Sequence, residues 1–138
     1  MKTQIKMKKI ILDTNFLMIP WQFHVDIFSE LDRICNFNYK LYIFEETINE
    51  LRNIINNAKG GNKKAAQIAL KLISLKNINT IKSLRKDVDT LILENASKND
   101  IVATQDMQLK RELVKKGISL IALRSKKHLV LNERKLYK

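Results

Sequence analysis

A single cysteine, Cys35, leaves no partner for an internal disulfide, and no set for a thiolate zinc site or an iron–sulfur cluster. No apolar run reaches the roughly 18–20 residues that a membrane span requires. The lysine-rich start, Met1 to Lys9, leads into a short apolar stretch that Asp13 ends, and no small-residue cleavage site follows. A cytoplasmic protein without a membrane partner is therefore expected. Acids are scarce as well: 14 Asp+Glu face 26 Lys+Arg, a net charge of +12. A small domain this basic suits a polyanion, and nucleic acid is a commoner partner than a membrane surface. With 45% hydrophobic and 29% charged residues in 138, the composition is that of one globular domain, residues 1–138, not a disordered tail.

Short apolar runs alternate with amphipathic segments. Lys9–Leu12, Lys40–Phe44, Ile78–Ile81, Ile101–Thr104 and Ser119–Leu123 read as strands. Helical spacing predicts helices over Thr14–Ile19 (stopped by Pro20), Val25–Cys35, Glu45–Asn57, Lys63–Lys76, Val88–Ser97 and Met107–Lys116, with Gly117 as the last helix's C-cap. This alternation predicts a three-layer α/β/α fold around a mostly parallel sheet of four to five strands, because parallel neighbours need crossovers. Cys35 reads as core. Gly60-Gly61 reads as a turn, since it follows no strand and matches no phosphate-cradling pattern. From about Arg124 the chain reads as a basic tail.

In open parallel sheets, reactive groups collect beyond the carboxyl ends of the strands. Asp13 directly follows Lys9–Leu12, and Asp106 follows Ile101–Thr104 after one residue. Glu50 and Asp89 fall on neighbouring helices. Singly, each reads as a helix cap or a solvent-facing acid, and periodicity does not bring them together. Converged, four carboxylates would repel one another until a divalent cation relieved them, and oxygen-only ligands suit Mg²⁺ or Mn²⁺ rather than Zn²⁺. Such ions support hydrolysis at phosphorus. His24 and His128 carry no motif spacing that would make them acid–base groups. Phe28 lies on an apolar helix face, whereas Trp21 and Phe23 suit packing and base stacking equally.

Four motifs in order carry a family resemblance. They are Ile11-Leu12-Asp13-Thr14-Asn15, Ile48-Asn49-Glu50-Leu51, Asp89-Thr90-Leu91-Ile92 with Ala96, and Ala103-Thr104-Gln105-Asp106. From Lys9 to about Leu123 the chain resembles the PIN-domain endoribonucleases, nearest to archaeal relatives of the small-subunit rRNA-processing enzyme, with VapC-type toxins second. The resemblance implies Asp13, Glu50, Asp89 and Asp106 as catalytic metal ligands for Mg²⁺ or Mn²⁺, supported by Asn15 and Thr104. It also implies single-stranded or structured RNA as substrate, with ribosomal precursor foremost, and an antitoxin peptide partner if the chain is a toxin. A homodimer is compatible with the family but compelled by nothing in the sequence. The related rRNA-processing proteins carry adjacent acids at the third motif, whereas here they are separated as Asp87-Val88-Asp89; Asp89 aligns, leaving Asp87 a cap or an outer ligand. Lys110, Arg111, Arg124, Lys126, Lys127, Arg134 and Lys135 are the expected RNA contacts, through phosphate. A non-catalytic RNA-binding assembly factor is the rival from another class.

Overall fold

The structure, a computed structural model, describes residues 7–133. Its elements run β1 (Lys8–Leu12), α1 (Thr14–Leu17), α2 (Ile19–Phe23), α3 (Ile27–Ile34), β2 (Tyr39–Phe44), α4 (Glu45–Asn57), α5 (Gly61–Leu75), β3 (Asn79–Ile81), α6 (Val88–Asn95), β4 (Ile101–Ala103), α7 (Met107–Lys115), β5 (Ser119–Arg124) and β6 (His128–Asn132). One sheet carries all the strands in the order β3-β2-β1-β4-β5-β6. Every pair is parallel except β5 with β6.

Two-residue alternation divides the core. Ile10, Leu12, Ile43, Ile101, Ala103 and Ile121 join one cluster with Phe16, Leu31, Leu51 and Ala69. Ile11, Phe44, Val102 and Leu120 join the other, with Leu91, Ile92, Leu109 and Leu113. Helices α1–α5 thus pack on one face and α6 and α7 on the other. A fully buried side chain such as Phe16 or Leu51 contributes roughly 1.5–3 kcal/mol through its removal from water. Buried Thr47 of α4 leaves its hydroxyl without a hydrogen-bond partner. A buried hydroxyl in that state costs more than a methyl of similar size. Thr47→Val is therefore expected to raise stability by about 1 kcal/mol, read from the urea midpoint.

Three features differ from the sequence reading. The sheet has six strands rather than four or five, because β6 forms where a basic tail is expected. The β5–β6 turn holds Ser125 and Lys126 at φ +55°, without the Asn-Gly or Asp-Gly signature of such turns. Leu129 is fully buried against α3; its N–H donates to Glu30 (2.9 Å) and its carbonyl accepts from Arg33 (3.0 Å). Pro20 does not stop a helix: it lies in the first turn of α2, where its missing N–H has no helical partner to lose. Gly117 does close α7, at φ +74°, with Ile118 N–H donating to the Leu113 carbonyl at 3.0 Å.

Candidate active site

Strand order reverses between β1 and β4: β2 and β3 lie to one side of them, β5 and β6 to the other. The crevice beyond the carboxyl ends of this pair is where doubly wound sheets place ligands. Asp13 leaves β1 there, its N–H donating to the Ala103 carbonyl at 2.9 Å, and caps α1 with its side chain. Its Oδ1 accepts from Thr14 N–H at 2.8 Å, and its Oδ2 accepts from the Thr104 hydroxyl at 2.6 Å. Burial, opposed by those hydrogen bonds and reinforced by the charges of Glu50 and Asp89, pushes its carboxyl up to about 6.

Thr104, fully buried at the end of β4, links two of the acids. While donating to Asp13, its hydroxyl accepts from Asp106 N–H at 3.0 Å. Asp106 caps α7, accepting from Leu109 N–H at 3.0 Å. Asn15 accepts from Gln105 N–H at 3.1 Å and so fastens the β4–α7 connection to α1. Glu50 projects from α4, three residues after buried Thr47 and one before buried Leu51. It accepts from the Thr14 hydroxyl at 2.6 Å and from Val88 N–H at 3.1 Å, joining α1, α4 and the start of α6.

Asp13, Glu50, Asp89 and Asp106 line one cleft of about 280 Å³, together with Thr14, Asn15, Met18 and Ile54. Asp89 stands on the first turn of α6 and is exposed, whereas Asp87, at the N-cap position of α6, is not part of the lining. A larger hollow of about 370 Å³ beside β3 and α6 includes a single acid, Glu94. Lys110, one turn past Asp106, has its ammonium held below the usual lysine range by burial, against the pull of Asp106. Arg111 is exposed on α7, and Arg124, Lys126 and Lys127 are exposed where β5 ends, at the same edge of the parallel sheet as the cleft. Arg134 and Lys135 lie outside the described residues.

Met18 and Ile54 line the cleft from outside any of the four motifs, and Thr14, a member of the first motif, lines it as well. The signal for Thr14 was its place directly behind Asp13; Met18 and Ile54 offered none. Among the described residues, no three His, Cys, Asp or Glu side chains converge tightly enough, as placed, to hold an ion. The donor set nevertheless fits a hard divalent cation. It is all oxygen, and Asp13 is a buried carboxylate facing two further acids with no basic side chain in the lining.

An acid-lined cleft at the switch point of a doubly wound α/β domain defines the class of protein. The chain belongs to the PIN-like domain family, whose pattern matches residues 10–126. It is 29% identical over 124 residues to Ribonuclease VapC4 of Methanocaldococcus jannaschii, covering 88% of this chain and 95% of that protein. Its fold matches the PIN domain endonuclease Utp24 with a TM-score of 0.77 at 20% identity, over 94% of this chain and 96% of the other. It also matches a domain of a functionally unknown protein from Methanocaldococcus jannaschii, with a TM-score of 0.58 at 19% identity, over 95% and 97% of the two chains. The expected family and α/β architecture are thus found, and the expected enzyme class agrees with a relative named as a ribonuclease. No helix among the described residues is long and apolar enough to cross a membrane.

Proposed function

We propose that the chain is a metal-dependent endoribonuclease, a single nuclease domain over residues 1–138 that hydrolyses RNA phosphodiester bonds in the acidic cleft. The observation carrying this reading is the lining of that cleft by Asp13, Glu50, Asp89 and Asp106 at the switch point of a strongly basic chain. These four would hold Mg²⁺ or Mn²⁺, which supplies Lewis acidity for displacement at phosphorus. Thr104 and Thr14 hold the Asp13 and Glu50 carboxylates in place, as groups behind metal ligands do, and Asn15 fixes the connection that carries Asp106. Asp87 acts from outside the cleft. Lys110, Arg111, Arg124, Lys126 and Lys127 hold RNA phosphates beside the cleft, and Arg134 and Lys135 remain proposed phosphate contacts as well.

Ribosomal precursor RNA is the substrate proposed first. The likeness to Ribonuclease VapC4 favours a second reading, a toxin ribonuclease held by an antitoxin peptide. A peptide that copurifies with the chain and blocks cleavage would select the second.

The metal-dependent reading is tested by thermal unfolding in EDTA and in millimolar Mn²⁺, alongside cleavage of single-stranded RNA under both conditions. Binding confined to the folded state is expected to stabilise by about 3 kcal/mol at a hundredfold excess over Kd, raising Tm by several degrees. Asp89→Asn, which alters an exposed acid, should shrink that rise and slow cleavage while leaving the EDTA melting curve in place or slightly raised, since one charge repelling Asp13 is gone. A wild type that neither shifts with Mn²⁺ nor cuts RNA in its presence would sink the reading.

A further inference from the structure

We propose that Trp21, flanked by Lys64 and His24, is a stacking platform that holds an unpaired RNA base beside the acidic cleft. This inference rests on the nuclease reading and adds a residue that binds the substrate outside the acidic cleft. Trp21 is the only tryptophan, and it is 39% exposed on a helix whose first residue, Ile19, is fully buried. Its surroundings are cationic and aromatic. The Lys64 ammonium lies 5.8 Å from the ring centroid, and the His24 ring meets the indole edge-on at 5.9 Å.

The platform stands close to the proposed chemistry by two routes through the fold. Met18 lines the cleft, and its carbonyl accepts from Gln22 N–H at 3.2 Å, so Trp21 lies within one helical turn of the cleft wall. Helix α4 leaves the cleft through Glu50 and Ile54, and the chain then turns at Gly60 (φ +66°) into α5, which packs against both α4 and α2. That turn brings Lys64 over Trp21, with no acid in the first turn of α5 to offset it. An indole with an ammonium over one face matches one nucleotide: the base stacks on the opposite face and the lysine meets the adjoining phosphate. A base inside a duplex has no free face to offer, so the platform selects single-stranded RNA, with little regard to base identity.

Because Trp21 is the sole indole, its emission reports directly on this contact. The full chain in EDTA, where the proposed reaction is blocked, is titrated with short single-stranded oligoadenylate and with the matching duplex. Saturable quenching by the single strand and little by the duplex is expected. Fluorescence anisotropy of labelled RNA should show Trp21→Ala weakening binding about tenfold, with Trp21→Phe staying within about threefold of wild type. Lys64→Gln should weaken binding about threefold and reduce the salt slope by about one. With metal present, Trp21→Ala should raise KM with kcat near the wild-type value, the split expected of a positioning residue that binds without touching the reacting atoms. Unchanged emission on RNA binding, or equal affinity for Trp21→Ala and wild type, overturns the platform while cleavage by the wild type leaves the nuclease reading standing. A wild type that neither binds nor cuts RNA overturns both.

Discussion

Asp13→Asn is expected to abolish RNA cleavage, by three orders of magnitude or more, and at the same time to make the metal-free protein more stable. The two effects share a cause. Asp13 is buried and its carboxyl is pushed from an ordinary 3.8 up to about 6, chiefly by loss of water, with the charges of Glu50 and Asp89 adding to it. Keeping such a group ionised in the folded state costs about 3 kcal/mol relative to the unfolded chain. The sign follows from the proton count. Below about pH 4 the carboxyl is protonated in both states and costs nothing. Between about 4 and 6 the unfolded chain releases the proton while the folded protein retains it, and stability falls as pH rises. Above about 6 the loss is complete.

An asparagine amide does not ionise and keeps an acceptor for Thr14 N–H or the Thr104 hydroxyl. In EDTA, the variant's urea midpoint should therefore trail the wild type by about 1 kcal/mol near pH 4, where the lost hydrogen bond is the only difference, pull ahead through pH 6 and stay ahead at pH 8 by roughly 2 kcal/mol. Saturating Mn²⁺ should reverse the order, because only the wild type has the full ligand set to be stabilised. A variant that cuts RNA at the wild-type rate, or that is less stable than the wild type at pH 8 in EDTA, contradicts the role given to Asp13. The buried carboxylate that costs stability without metal is what the proposed chemistry uses, a local cost tolerated for function.

The parts of this site that short-range pattern could reveal are those attached to strand ends. Asp13 and Asp106 sit where an apolar run stops, and a parallel sheet sends every such end to one edge; the pairing of β1 with β4 then makes them neighbours. Glu50 and Asp89 are different. A helical period says which face of α4 is apolar, but the meeting of Glu50 with Thr14 and with Val88 N–H depends on how α4 and α6 dock, contacts separated by 36 and 38 residues. Only the likeness to a family supplied them in advance. The choice between Asp87 and Asp89 was likewise open in sequence, and three-dimensional placement puts Asp89 on the cleft wall. The β5–β6 hairpin escaped notice for a local reason: Ser125 and Lys126 take left-handed backbone that Gly or Asn would have advertised, at a cost that burial of Leu129 offsets. Pro20 is ambiguous by type, since proline in a first turn opens a helix as readily as proline further on ends one.

Thr104→Val tests whether the second carboxylate end is built as tightly as the geometry implies. The valine keeps the shape of a fully buried residue but removes a hydroxyl that donates to Asp13 at 2.6 Å and accepts from Asp106 N–H at 3.0 Å. One change thus strips a donor from a buried carboxylate and an acceptor from a helix-starting N–H, and about 2–4 kcal/mol of stability should be lost. The pH dependence separates these contributions. The hydroxyl holds the Asp13 carboxyl down against its burial, so without it the group titrates higher still. The deficit relative to wild type should be larger at pH 8, where the wild-type carboxylate is charged and needs the donor, than at pH 4.5, where it is protonated. Cleavage at saturating Mn²⁺ should fall 10- to 100-fold, the usual effect of losing a group that orients a metal ligand. Thr104→Ser, which restores the hydroxyl and removes only a methyl, should recover most of the rate and the smaller pH dependence. If valine is tolerated with wild-type rate and a pH-independent stability loss, the hydroxyl merely fills space, and Asp13 is held by Thr14 and the β1–β4 register alone.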